Sequence, residues 1–227
     1  MDTSFLDSEE FKRLESEYKF LSHAREKLRG HAGELESGNF SLIDLETTGL
    51  NPQENEIIEI GSMKISSGEL KGVFNKLVRP KGPLSEEITR ITGITREMLE
   101  GCPEIGAVLP ELLDFIGNDA LIAHNAEFDM AFLQEGVSRH LNRKLDNRVV
   151  CTLSLARAVL PNLDNHKLHT IARYFKIEIS ARHRAIGDVE ATYQIWLKLV
   201  EKLQNKGVAT MNDLEKYLAS HARQAPF

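Results

Sequence analysis

Asp44 and Glu46 stand two residues apart in Asp44-Leu45-Glu46-Thr47-Thr48-Gly49. Asp129 closes His124-Asn125-Ala126-Glu127-Phe128-Asp129, and Asp188 closes His183-Arg184-Ala185-Ile186-Gly187-Asp188. Carboxylates gathered in one place repel one another and cost free energy unless a cation neutralises them. A hard divalent cation held by carboxylate oxygens, with a histidine beside it, is what phosphodiester hydrolysis needs. Each acid also has an ordinary reading. Asp129 and Asp188 suit helix starts, where the macrodipole favours negative charge, and His183 alone is an ordinary surface histidine. Asp44 and Glu46 are harder to dismiss. Side chains alternate along a strand, so both point to one face while Leu45 points to the other. Acids are depleted from strands, and the ordinary alternative is an edge strand with a solvated face.

The elements that must position these residues follow from periodicity. Phe40 to Glu46 reads as a strand, Asn51-Pro52 as a turn, Ile57 to Ile65 as a second strand and Leu70 to Val78 as a third, together an antiparallel meander. Ser85 to Ile88 has the form of a helix start, and Ile91 to Thr95 reads as a loop between short helices. A helix is expected over Ile105 to Ile116, with Pro110 in its first turns or breaking it. Ala120 to His124 and Arg148 to Cys151 read as short strands. Helices are expected over Glu127–Arg139, Leu153–Val159, Leu168–Phe175, Gly187–Leu203 and Met211–His221. This pattern predicts an α/β fold with a mixed sheet covered by helices. Ahead of it, Ser8 to Arg29 has the apolar spacing of an amphipathic helix, and glycines near Ser37–Asn39 mark a boundary. The expected division is a helical extension over 1–38, the main domain over 39–205 and a helical tail over 206–227.

In this scheme Asp129 follows a short strand at the start of a helix, at the strand's carboxyl end where open sheets bind ligands. Asp188 projects from the first turn of the long C-terminal helix, with His183 on the loop before it, free to accept a proton from water. The turn residues Thr47, Thr48 and Gly49 bring hydroxyls and backbone amides near a phosphate, Gly49 through its freedom to adopt positive φ. Leu45 belongs to the same nucleotide-holding loop. His124 and Asn125 either orient their loop or hydrogen-bond substrate, and Phe128 is either core or a wall for a base.

The bulk numbers narrow the class. A chain of 227 residues can bury a core without staples, and 41% hydrophobic with 27% charged is ordinary globular composition. The net charge of −6 argues against a generic nucleic-acid coat but not against an enzyme whose acids hold cations. Two cysteines, Cys102 and Cys151, make no disulfide framework. No signal peptide or membrane-spanning run is visible, so a cytoplasmic protein with no membrane partner is expected.

The three contexts resemble the three motifs of the DnaQ-like, or DEDD, 3′→5′ exonucleases, including the proofreading subunit type. Asp44 and Glu46 match the first motif, Asp129 the second and Asp188 the third. His183, five residues before Asp188, matches the histidine subtype (DEDDh), and the tyrosine subtype would carry its tyrosine where this chain has Arg184. The resemblance spans roughly Asn39 to Leu203. It implies a ribonuclease-H-like fold with a five-stranded mixed sheet flanked by helices. It implies two divalent cations, Mg2+ or Mn2+, held by Asp44, Glu46, Asp129 and Asp188, with His183 as general base. Asp44, Glu46 and Asp188 would hold the tighter ion and Asp44 would bridge to the second, the place of Asp129 being open. The implied activity is removal of nucleoside 5′-monophosphates from the 3′ end of single-stranded DNA, in proofreading or repair. A chain this short leaves no room for a polymerase domain, so a DNA polymerase subunit is an expected separate partner. Two alternatives stand: an exoribonuclease trimming RNA ends, and a catalytically idle nucleic-acid-binding adaptor.

Overall fold

In the computed structural model, residues 34–179 and 183–222 are described. The expected leading helix over Ser8 to Arg29 lies outside them. Strand β1 (Phe40–Thr47) alternates Phe40 and Leu42 on one side with Ile43 and Leu45 on the other. Each side is buried, so β1 must be an interior strand. It pairs antiparallel with β2 (Ile57–Ser66), which pairs antiparallel with β3 (Glu69–Leu77). On its other edge β1 pairs parallel with β4 (Ala120–Ala123), and β4 pairs parallel with β5 (Val149–Cys151). The five-stranded order is β3-β2-β1-β4-β5, with β1 central. The edge-strand reading of Asp44 and Glu46 is thereby excluded.

One face of the sheet is covered by α4 (Ile105–Ile116) and α5 (Ala126–Leu141), which bury Ile43, Leu45 and Leu121. The other is covered by α6 (Thr152–Val159), α7 (Leu168–Phe175), α8 (Ala185–Gln204) and α9 (Met211–Ala222). Helix α8 lies against β1 and β2 and is buried along most of its length. Its Trp196 meets the edge of Phe40, with ring centroids 5.7 Å apart. Three short helices complete the fold: α1 (Glu34–Ser37), α2 (Glu86–Thr92) and α3 (Arg96–Leu99). Ser85 caps α2 through its side chain, and the intervening loop is shorter than expected because Ile91 and Thr92 are helical. None of the helices among the described residues is long and apolar enough to cross a membrane.

Two details follow from tertiary packing. Helix α4 runs through Pro110 unbroken. A proline there costs about 3 kcal/mol, but Val108, Leu109, Leu112 and Ile116 are buried on the opposite side, each stabilising by roughly 1.5–3 kcal/mol. Pro110 itself is exposed, so the helix face it weakens is the solvated one. At the ends of the domain, packing extends past the expected divisions. Leu35 is fully buried, and Val208, Met211 and Leu214 join the same core as α8.

Candidate active site

Strands β1 and β4 are paired only over Phe40–Leu42 and Ala120–Ile122. Beyond Leu42 they part, and the opening lies at the carboxyl ends of two adjacent parallel strands, where open sheets bind ligands. Asp44 and Glu46 lie on the α8 side of β1 at this opening. The cross-strand partner of Asp44 is Gly61, and that of Glu46 is Glu59. A bulge follows at once, since Glu46 pairs with Glu59 but Thr47 with Ile57. Bulges twist and re-aim a strand beside a site. Gly61 makes the third acid possible. A Cβ there would stand 2.6 Å from the Ala185 carbonyl carbon, so only glycine lets the start of α8 approach β2 this closely. Asp188, in the first turn of α8, is thereby brought onto the acids of β1.

One carboxylate oxygen from each of Asp44, Glu46 and Asp188 lies within 4.8 Å of the other two. Asp129, in the first turn of α5, is buried and reaches round the end of β4. Its Oδ1 accepts a hydrogen bond from the Leu45 backbone N–H at 3.1 Å, a donor that β4 does not pair. The charges show their crowding in their proton affinities. Burial foremost, then the charges of Asp129, Asp188, Glu46 and Glu59, push the Asp44 carboxyl well above the usual carboxylate range. Burial, with Asp188 and Glu59 adding to it, pushes Glu46 up to about 8 against an opposing pull from Arg184. Burial also pushes Asp129 up to about 8, although its backbone hydrogen bonds oppose the rise. A divalent cation would reverse this balance. The donors are all carboxylate oxygens, which suit a hard cation rather than a thiophilic one. The residues present therefore fit a divalent metal.

His183 sits at φ 59°, in the left-handed region, directly before α8. Its backbone N–H donates to Asp188 Oδ2 at 3.3 Å, which ties the histidine's main chain to the acid cluster. His124 is turned elsewhere. Its Nδ1 lies 3.0 Å from the Thr152 hydroxyl and its Nε2 3.0 Å from the His166 carbonyl. Burial holds its ring down to about 4, so it is neutral. A carbonyl can only accept, which assigns the proton to Nε2 and leaves Nδ1 to accept from the Thr152 hydroxyl, whose one proton it shares with the Ala123 carbonyl at 3.3 Å. With both ring nitrogens engaged by protein, His124 braces the β4–α5 turn. Asn125, in the left-handed conformation at the head of α5, is exposed.

The Leu45 side chain is buried in the core on the opposite face, and its backbone N–H, donating to Asp129, is what it brings to the site. Thr47 donates its hydroxyl to the Gly49 carbonyl at 2.6 Å, and the Thr48 hydroxyl accepts from the Glu56 N–H at 2.9 Å. These hydroxyls hold the turn. Gly49 is not among the positive-φ residues. A Cβ there would stand 2.6 Å from the Asn55 side chain, which would have to shift. Phe128 packs at the edge of the core against Phe132 and, with Leu50 and Pro52, borders a cavity of about 260 Å³. Leu50 is 84% exposed beside it.

Three residues here escape motif reading: Leu50, Glu59 and Arg184. The available signals are an apolar residue in a polar turn, an acid inside the apolar run Ile57-Ile58-Glu59-Ile60, and a base next to His183.

Similarity to known proteins agrees with this architecture. The chain is 40% identical over 197 residues to a DNA polymerase III PolC-type of Oceanobacillus iheyensis, covering 85% of this chain and 14% of that one. It is 36% identical over 197 residues to its counterpart in Bacillus subtilis strain 168, again 85% and 14%. The chain thus spans about one seventh of these relatives. Exonuclease X in complex with 5′ overhanging duplex DNA superposes with a TM-score of 0.63 at 26% identity, covering 79% of this chain and 99% of that one. E. coli Exonuclease I in complex with a dT13 oligonucleotide shares the fold, with a TM-score of 0.64, 20% identity and coverage of 81% and 44%. The family model for exonucleases of the RNase_T type matches residues 41–196, most of the chain. The chain belongs to that exonuclease family, of the DnaQ-like DEDDh kind.

Proposed function

We propose that this chain is a metal-dependent 3′→5′ exonuclease that removes nucleoside 5′-monophosphates from single-stranded DNA. The observation that carries the reading is the convergence of Asp44, Glu46 and Asp188 at the parting of β1 and β4, with Asp129 beside them. These four acids would hold two divalent cations, Mg2+ or Mn2+. Such cations supply the Lewis acidity that activates water and stabilises a departing 3′ oxygen.

The chain's own residues do the rest. Water attacks the terminal phosphorus, the bond from phosphorus to the 3′ oxygen breaks, and the departing oxygen takes a proton from solvent. His183 accepts the proton of the attacking water. Its left-handed backbone and its bond to Asp188 support that position. The Thr47–Gly49 turn, made rigid by its own hydroxyls, presents the acids to the terminal nucleotide. Leu50 and Phe128 offer apolar surface to its base, and Asn125 lies beside them. Residues 39–205 would be the catalytic unit.

The PolC-type relatives support a place beside a DNA polymerase, in proofreading or repair, in the cytoplasm. The solved relatives that hold DNA favour DNA over RNA as the substrate. The test is degradation of 3′- and 5′-labelled single-stranded DNA and RNA with Mg2+, Mn2+ or chelator. Metal-dependent shortening of DNA from the 3′ end is expected. Preferential shortening of RNA would establish the exoribonuclease alternative, and DNA binding without turnover would establish the adaptor.

A further inference from the structure

Glu59 is wholly inaccessible to solvent and lies beside Glu46 across the β1–β2 pair, on the same face. A carboxylate in that position must be paired. Its partners are all at the start of α8. Oε1 accepts from Arg184 Nε at 3.2 Å and Nη2 at 2.8 Å, and Oε2 accepts from Arg184 Nε at 3.1 Å and from the Ala185 N–H at 3.0 Å. With both oxygens engaged in this way, Glu59 stands outside the oxygen cluster of Asp44, Glu46 and Asp188. Two residues on, Gly61 accepts the Ala185–Ile186 backbone where any side chain would collide. The sequence has therefore spent an acid and a glycine on one face of β2 to dock the first turn of α8. From that turn hangs Asp188, and His183 immediately precedes Arg184.

We infer that Glu59 and Arg184 are a pair of positioning residues: a carboxylate–guanidinium clamp that holds the start of α8 so that Asp188 and His183 meet the acids of β1. The inference rests on the proposed exonuclease reading and assigns no contact with substrate to either residue. The planar fork of arginine makes two directed bonds to one carboxylate, whereas lysine offers a single flexible charge. Arg184→Lys therefore keeps the charge and loses the alignment. Residues that orient the groups holding a metal typically change metal affinity or activity by about 10–100-fold when replaced.

The experiment compares the full chain with Glu59→Gln, Arg184→Lys, Arg184→Gln and the Glu59→Gln/Arg184→Gln double variant. Mn2+ binding is measured by titration calorimetry without DNA, and kcat and KM are measured on end-labelled single-stranded DNA at saturating Mg2+. Each single variant is expected to bind Mn2+ about tenfold or more weaker and to lose kcat by a similar factor, with KM little changed. Because the two residues act as one unit, the double variant should be no worse than the worse single one. Arg184→Lys keeps a cation beside the buried Glu59 carboxylate and is expected to fold even where Glu59→Gln or Arg184→Gln is too unstable to purify, and thermal melting verifies this. Folded variants with native Mn2+ affinity and kcat overturn the clamp. A raised KM with unchanged kcat also overturns it, since Arg184 would then be a DNA contact. An unaltered chain that neither binds Mn2+ nor shortens DNA would refute the exonuclease reading and the clamp together.

Discussion

Asp44 bears the greatest share of the site's unfavourable charge, with Asp129, Asp188, Glu46 and Glu59 all raising its proton affinity. Asp44→Ala should reduce turnover by about a thousandfold or more, the equivalent of several kcal/mol of transition-state stabilisation. It should leave the metal-free protein at least as stable, because one member of a repelling set is gone. Steady-state rates and melting curves measure both, and a fully active Asp44→Ala enzyme would end the assignment. His124 gives the opposite kind of prediction. The unfolded chain protonates this histidine near its ordinary value of 6.5, the folded chain only at about 4. The unfolded state therefore binds more protons between these values, and the stability present above pH 6.5 is lost as pH falls towards 4. His124→Ala should flatten that acid limb in a melting series. It should also cost about 1–3 kcal/mol at neutral pH, because the His166 carbonyl loses its donor while the Thr152 hydroxyl keeps only the Ala123 carbonyl. An acid limb as steep as the native one would show that another group is responsible. Leu50, 84% exposed, holds little of the core. Leu50→Ala should raise KM for DNA while leaving the melting temperature within the small range of ordinary surface changes, about 0.5 kcal/mol. An unchanged KM would remove Leu50 from the proposed nucleotide surface.

At the scale of elements, the contact that matters most is the start of α8 on β2. Gly61→Ala puts a methyl against the Ala185 backbone, where no side chain can move aside. Overpacking of this kind costs about 1–3 kcal/mol, and here relief comes by lifting Asp188 away from Asp44 and Glu46. Weakened Mn2+ binding together with a lower melting temperature is expected; a drop in stability alone would show that the helix yields elsewhere. The elements themselves were largely legible. Alternation in Phe40 to Glu46 and apolar spacing in Leu168 to Phe175 are local signals, and the strands and helices fall within a residue or two of where these signals put them. Glu59 was not legible, because its meaning depends on Arg184, 125 residues away in sequence. Gly49 was expected for a positive φ that it does not adopt; Asn55 packs over it instead, which no local rule contains. Of the two readings left open for Pro110, the early-turn position inside an unbroken helix is the one found, since the burial that outweighs the proline belongs to the tertiary structure.

For the whole molecule, protons and cations compete for one set of acids. Without metal, folded Glu46 and Asp129 keep their protons up to about 8, against ordinary values of 4.5 and 3.8. The folded state thus binds more protons at these two groups across that window, so the stability they contribute is fully present below about pH 4 and is lost as pH rises to about 8. Melting temperatures in chelator, read against the opposing slope from His124 at the acid end, should fall between about pH 6 and about pH 8.5, and Mg2+ should raise them most at the alkaline end. Indifference to Mg2+ at alkaline pH would argue against a cation site. The net charge of −6 follows in part from this concentration of acids. The central place of β1 has one more result. A slip of a single residue in its pairing would drive Asp44 and Glu46 in among Ile60, Leu112 and Phe132 and turn Leu45 out to the site. Such a misaligned sheet would have to bury naked acids in hydrocarbon, so the chemistry and the correct alignment of the strand are selected by the same two side chains.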